Sequence, residues 1–220
     1  MFEIIAQHYQ DGGFWMYPIS LFQLFSIAII IERAYVLYFK ARLNKERVVS
    51  GLRERIVKGD VIGGIRFLSD QPQTALTRIL KSGITHVQYG EEEIQAAMDE
   101  AVFHEMPGFE RRVGYLAMIA NGATLAGLLG TILGMIKVFA AVASVSASDK
   151  AILLSDGISQ AMNCTAYGLI TAIPPLVVYA FYQARIQGIN DQIGSAVAST
   201  VNFVVRNKEK LDLKPLTGQA

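Results

Sequence analysis

The chain has 220 residues, with 20 Lys plus Arg against 19 Asp plus Glu, 52% hydrophobic residues and only 18% charged ones, whereas an average soluble domain carries about 25% charged residues. This deficit points to lipid, and the length fits one compact domain or a bundle of a few membrane helices. A net charge of +1 argues against a polycationic nucleic-acid binder, and a lone cysteine, Cys164, excludes an internal disulfide and reads as a small buried hydrophobe.

In chain order, a segment over 1–13 precedes an apolar run from Phe14 to Ile31, closed by Glu32 and Arg33 and followed by AYVLYF, which predicts a first transmembrane helix over 14–39. That run has no Lys or Arg before it and basic residues after it, the reverse of a secretory signal. Residues 40–112 are polar, but too long for an unstructured loop. Leu52, Ile56, Ile62, Ile65 and Leu68 recur at near-helical intervals broken by Gly59, Gly63 and Gly64. Gln71-Pro72 marks a turn before a helix around Ala75–Ser82, and Glu91-Glu92-Glu93 opens another with Ile94, Ala97, Met98, Ala101 and Val102 on one face. This is expected to be a helical domain.

A second apolar run, 113–143, has Lys137 as its only charge, and a third, 151–184, has only Asp156. A bilayer core of about 30 Å needs about 20 helical residues, so all three runs are long enough to span it, with 144–150 joining the last two. Over 185–220 a stripe of Ile186, Ile189, Ile193, Val197, Val201 and Val204 continues the third helix, which predicts packing against the 40–112 helices or a neighbouring subunit. Residues 40–112 hold 12 Lys plus Arg and 185–220 hold 5, with none before the first run and only Lys150 between the other two. By the positive-inside rule the N-terminus and the 144–150 loop lie outside, in the periplasm, and the 40–112 domain and the C-terminus lie in the cytoplasm. The expected fold is therefore an all-α integral membrane protein with three long transmembrane helices and a cytoplasmic helical domain.

No catalytic or cofactor site is expected. His8, His86 and His104 lack partners at metal-ligand spacing, and GLLGTILG (127–134) lacks the Lys-Ser/Thr ending of a phosphate loop. The second and third spans carry more than an anchor needs. Gly127, Gly130 and Gly134 form a smooth stripe for close helix packing, with Gly130 and Gly134 in GxxxG spacing. Thr131 and Thr165 fall near mid-span and are expected at one depth, as part of a polar ring in an oligomer. Lys137, Gln160 and Asp156 lie further toward the 144–150 loop, placed either at the outer mouth of a pore or, for Lys137 and Asp156, simply at the interface. Pro174-Pro175 removes two backbone donors and is a candidate kink.

At these residues the chain resembles the MotA/TolQ/ExbB proton-channel family, in its three-span ExbB/TolQ branch. LAMIANGATLAGLLGTILGMIKVF (116–139) is similar to the family's second-span signature, ISQAMNCTAYGLITAIPPLVVYAF (158–181) to its third, and MYPISLFQLFSIAIIIER (16–33) to its first. The resemblance implies a homopentamer in the bacterial inner membrane around an ExbD- or TolR-like single-span partner that supplies a protonatable Asp, with a TonB- or TolA-like protein as a further partner. It places the pore threonines on Thr131 and Thr165 and the family's third-span acid on Gln160, which cannot carry a proton. Sodium in place of protons, or a non-conducting scaffold for the partner, are the alternative readings.

Overall fold

The computed structural model describes residues 14–40, 44–143 and 146–211. The expected 1–13 segment, part of the 144–150 connection and the end of the tail lie outside them. The described residues are helical without strands: α1 Met16–Tyr35 with a π-helical turn at Val36–Lys40, α2 Lys45–Val57, α3 Val61–Asp70, α4 Ala75–Thr85, α5 Glu91–Glu110, α6 Gly114–Val142, and α7 Ala147–Arg206, followed by a 3₁₀ turn at Lys208–Lys210. Three helical stretches, Met16–Phe39, Glu91–Val142 and Asp149–Arg206, are long and apolar enough to cross a membrane. At about 1.5 Å per residue α7 extends to about 90 Å, three times a hydrocarbon core. The helix runs through Pro174 and Pro175 without a break.

Two compact units emerge. One contains residues 34–111 and the chain from 183 onward. Its helices start and stop where local chemistry says they should. Gly59, at φ 79°, ends α2 in a conformation that costs glycine little, and the Asp60 carboxylate then caps α3 by accepting from the Gly63 amide at 2.7 Å. Thr74 caps α4 by accepting from the Thr77 amide. The three glutamates that open α5 face the positive end of its dipole. The core is that of a soluble bundle: Leu52, Ile56, Leu68, Ile79, Leu80, Ile94 and Met98 are fully buried, and so is the α7 stripe from Ile186 to Val204. Ile62, expected in the apolar stripe of this region, is instead exposed. The turn at Gly59 resets the helical phase, so Val61, Gly64 and Leu68 face inward.

The other unit contains 14–33 and 112–182. Its packing differs in kind. The interior is built from small residues, Ala120, Ala123 and Ala172, against which Phe22 packs, while Leu24, Phe25, Met118, Ile136, Phe139, Ile170 and Phe181 stay exposed. This inversion suits lipid, where large apolar side chains gain nothing by turning inward and small residues let backbones approach. The few polar contacts are internal. Tyr167 Oη donates to Gln23 Oε1 at 2.9 Å and meets Ser20 Oγ at 3.1 Å, and Tyr182 Oη donates to the Ile30 carbonyl at 2.8 Å. Glu32 accepts from Arg112 at 2.6 Å and from Arg33 at 3.1 Å.

Candidate functional site

α6 and α7 pack as an antiparallel hairpin whose seam carries Ala123, Gly127, Gly130, Gly134 and Val138 against Gly157, Ala161, Cys164 and Gly168. The tightest point is Gly127 against Gly168. A Cβ added at Gly168 would stand 2.9 Å from the Ala123 carbonyl oxygen and 3.0 Å from Gly127 Cα, and one added at Gly127 would stand 3.1 Å from both the Cys164 carbonyl oxygen and Gly168 Cα. Gly130 faces the Cys164 thiol and Trp15, and Gly134 meets Ala161 at 3.4 Å, an ordinary contact. Backbone-to-backbone approach is therefore centred on Gly127 and Gly168 rather than on the GxxxG pair Gly130/Gly134. Gly168 escaped the sequence reading, although Gly157, Ala161, Cys164 and Gly168, spaced by four, three and four, form a small-residue stripe like that of α6.

This close approach brings Thr131 and Thr165 together. Their hydroxyls are in contact. The Thr131 hydroxyl also reaches the carbonyls of Gly127 at 3.1 Å and Ala161 at 3.2 Å, and Thr165 reaches the Gly127 carbonyl at 3.3 Å. Each hydroxyl has one proton and several acceptors within reach, so the pair can exchange hydrogen-bond partners by rotating O–H bonds alone. Neither hydroxyl can serve as an ionisable carrier near neutral pH. A proton path through this point needs a carboxylate from elsewhere.

Lys137, Gln160 and Asp156 come together in a second place, an open cleft of about 600 Å³ also lined by Gly134, Val138, Leu153 and Gly157. The threonines are not part of it. At 3.6 residues per turn, Thr131 and Thr165 lie about 60° to one side of the seam, while Lys137, Gln160 and Asp156 lie about 60–120° to the other. The hairpin thus has a threonine flank and a charged flank. α1 packs on the charged flank, as the contacts of Trp15 at Gly130, Phe22 at Gly122 and Gln23 at Tyr167 show. Within the chain the threonine flank is left uncovered by α1. Among the described residues no group of three or more His, Cys, Asp or Glu is arranged to hold a metal. Cys164 is buried.

A hairpin of two glycine-seamed membrane helices with paired mid-span threonines, joined to a helical bundle, defines a class of membrane protein, and the comparisons agree. The model of the MotA/TolQ/ExbB proton channel family matches residues 71–195, more than half of the chain, and the chain belongs to that family. It is 29% identical over 189 residues to an ExbB-like biopolymer transport protein of Synechocystis sp., covering 83% of this chain and 89% of that one. It is 26% identical over 175 residues to a biopolymer transport protein of the ExbB kind from Vibrio cholerae, covering 78% and 76%. In fold it is similar to a chain of the C. jejuni MotAB structure, with a TM-score of 0.57 at 12% identity over 94% of this chain and 82% of that one.

Proposed function

We propose that this chain is the channel-forming subunit of an inner-membrane motor of the ExbB–ExbD or TolQ–TolR type, which couples proton-motive force to work on the cell envelope. In this reading it assembles as a homopentamer around a single-span partner that carries an intramembrane Asp, with the N-terminus and the 144–150 loop in the periplasm and the 34–111 bundle and the C-terminus in the cytoplasm. A TonB- or TolA-like protein takes up the work. The observation that carries the reading is the contact of Thr131 with Thr165 on the flank that α1 leaves open. Repeated around a ring, it gives a belt of re-orientable hydroxyls facing a partner carboxylate. Neutralising that carboxylate removes its pull on the belt and frees the partner to move. One charge falling through 100 mV yields about 2.3 kcal/mol, so a few ions per step suffice for a conformational change.

A second reading has an observation of its own. Both hydroxyls already have acceptors within the hairpin, as they would in a scaffold that only holds a partner helix. Thr165→Val separates the two. The proposal expects oligomer and partner to co-purify while proton flux in reconstituted vesicles and envelope energisation are lost; unchanged flux and coupling would leave the scaffold. A sodium-driven motor is tested in the same vesicles, by replacing sodium with choline at fixed pH.

A further inference from the structure

The cleft on the charged flank has no role in the motor just described, and its chemistry is unusual for its position. Lys137 and Asp156 are the only charges in two runs that are otherwise apolar, and both line one open cleft together with Gln160. All three side chains are exposed, and among the described residues none has a hydrogen-bond or ion-pair partner. A charge left unpaired in a membrane-spanning segment is costly, so the cleft faces a medium that can satisfy both signs.

Its depth can be read from the aromatic residues. Phe14, Trp15 and Tyr17 form a ring cluster at the start of α1, with Phe14–Trp15 centroids 6.1 Å apart and Phe14–Tyr17 centroids 6.5 Å apart. Phe14 and Tyr17 are exposed. Amphipathic aromatics of this kind collect at the level of the lipid headgroups. Trp15 packs at Gly130, and the cleft begins at Gly134, one helical turn nearer the connection between α6 and α7. It therefore lies in the headgroup zone, on the flank where α1 packs, just beyond the first turn of α1.

We infer that this cleft is a binding site for the headgroup of a zwitterionic phospholipid with a primary ammonium, of the phosphatidylethanolamine kind. The Lys137 ammonium takes the phosphate, and the Asp156 carboxylate and Gln160 amide oxygen accept from the lipid ammonium. Val138 and Leu153 supply apolar walls to the same cleft. The pairing of signs decides the ligand class. A phosphatidylglycerol headgroup leaves Asp156 facing only hydroxyls beneath an anionic phosphate, and a phosphatidylcholine headgroup satisfies the charge but donates no hydrogen bond to it.

The site is distinct from the threonine flank, so its test does not depend on ion conduction. The full-length protein, extracted in mild detergent as its native oligomer, is exchanged into mixed micelles containing phosphatidylethanolamine, phosphatidylcholine, phosphatidylglycerol or inorganic phosphate, and native mass spectrometry counts the retained lipid. The expected result is retention of phosphatidylethanolamine over phosphatidylglycerol by about tenfold, the size of one lost charge-assisted contact, with phosphatidylcholine between them and free phosphate not retained. Lys137→Gln should weaken all three lipids. Asp156→Asn should weaken phosphatidylethanolamine alone and raise phosphatidylglycerol relative to it, a reversal that loss of folding cannot produce, and Asp156→Glu should keep the wild-type order. Equal retention of the two lipids by the wild type, or an unchanged ratio in Asp156→Asn, overturns the inference. So does a ladder of disulfide-linked oligomers from the Lys137→Cys/Asp156→Cys double variant, which would give the cleft to a second copy of this chain.

Discussion

The Gly127–Gly168 crossing makes the sharpest mechanical prediction, because three glycine-to-alanine changes in one hairpin should have different outcomes. In Gly168→Ala the new methyl meets the Ala123 carbonyl oxygen at 2.9 Å and Gly127 Cα at 3.0 Å. Both are backbone atoms of α6 and cannot rotate away, so the helices must part by about half an ångström to reach ordinary contact. A gap of that size forfeits about a quarter of each dispersion contact along the seam, and overpacking of this kind costs about 1–3 kcal/mol. Gly127→Ala meets α7 in the same way. In Gly134→Ala the methyl meets Ala161 at 3.4 Å, where no movement is needed, and alanine's helix propensity is worth up to about 1 kcal/mol over glycine. Thermal unfolding of the detergent-solubilised protein should therefore place Gly168→Ala and Gly127→Ala well below the wild type and Gly134→Ala at or above it. Because the crossing also sets the Thr131–Thr165 contact, the first two should lose proton flux as well. Equal melting temperatures for Gly168→Ala and Gly134→Ala would refute the assignment of the crossing point.

Other consequences are smaller in scale. Asp60→Ala removes the carboxylate that holds the Gly63 amide and should destabilise the 34–111 bundle by about 1 kcal/mol, read as a lower melting temperature. The Thr171 hydroxyl is buried without a hydrogen-bond partner, so Thr171→Val should raise the melting temperature, by about 1 kcal/mol of stability; a lower value would mean that the assembled protein supplies a partner. Arg78 grips Glu105 with two hydrogen bonds, of 2.5 and 2.6 Å, and this holds the Glu105 carboxyl below the usual glutamate range. A lowered folded pKa adds stability above the unfolded value, near pH 4.3, that is lost as pH falls through the folded value. Glu105→Gln should therefore cost less than about 1 kcal/mol at pH 7, the pair being partly exposed, and the difference from wild type should vanish on acidification below pH 4. Gln160→Ala should leave proton flux closer to wild type than Thr165→Val does, since Gln160 lies on the charged flank.

Much of this architecture is written in single residues. The three spans follow from unbroken apolar runs, because a hydrocarbon core tolerates few charges whatever the tertiary packing. The stripe from Ile186 to Val204 predicts burial through its spacing alone, and it is buried. Ile62 shows where such reading fails: a glycine at positive φ resets the helical phase, and the pattern on either side cannot be joined. Periodicity likewise gives no hint that a tyrosine in one span, Tyr167, bonds Gln23 in another.

The candidate site divides along the same line. Sequence alone singles out Thr131, Thr165, Lys137, Gln160 and Asp156, because polar residues in apolar runs are conspicuous, and the motifs around them carry the family resemblance. It cannot sort them, since residues a few positions apart on a helix differ by angles that matter only once the facing helix is in place. The hairpin seam supplies that reference, sending the two threonines to one flank and the other three residues to the opposite one. It also picks Gly127 and Gly168 from the glycines of the two spans as the point where backbones touch, a distinction that exists only between helices.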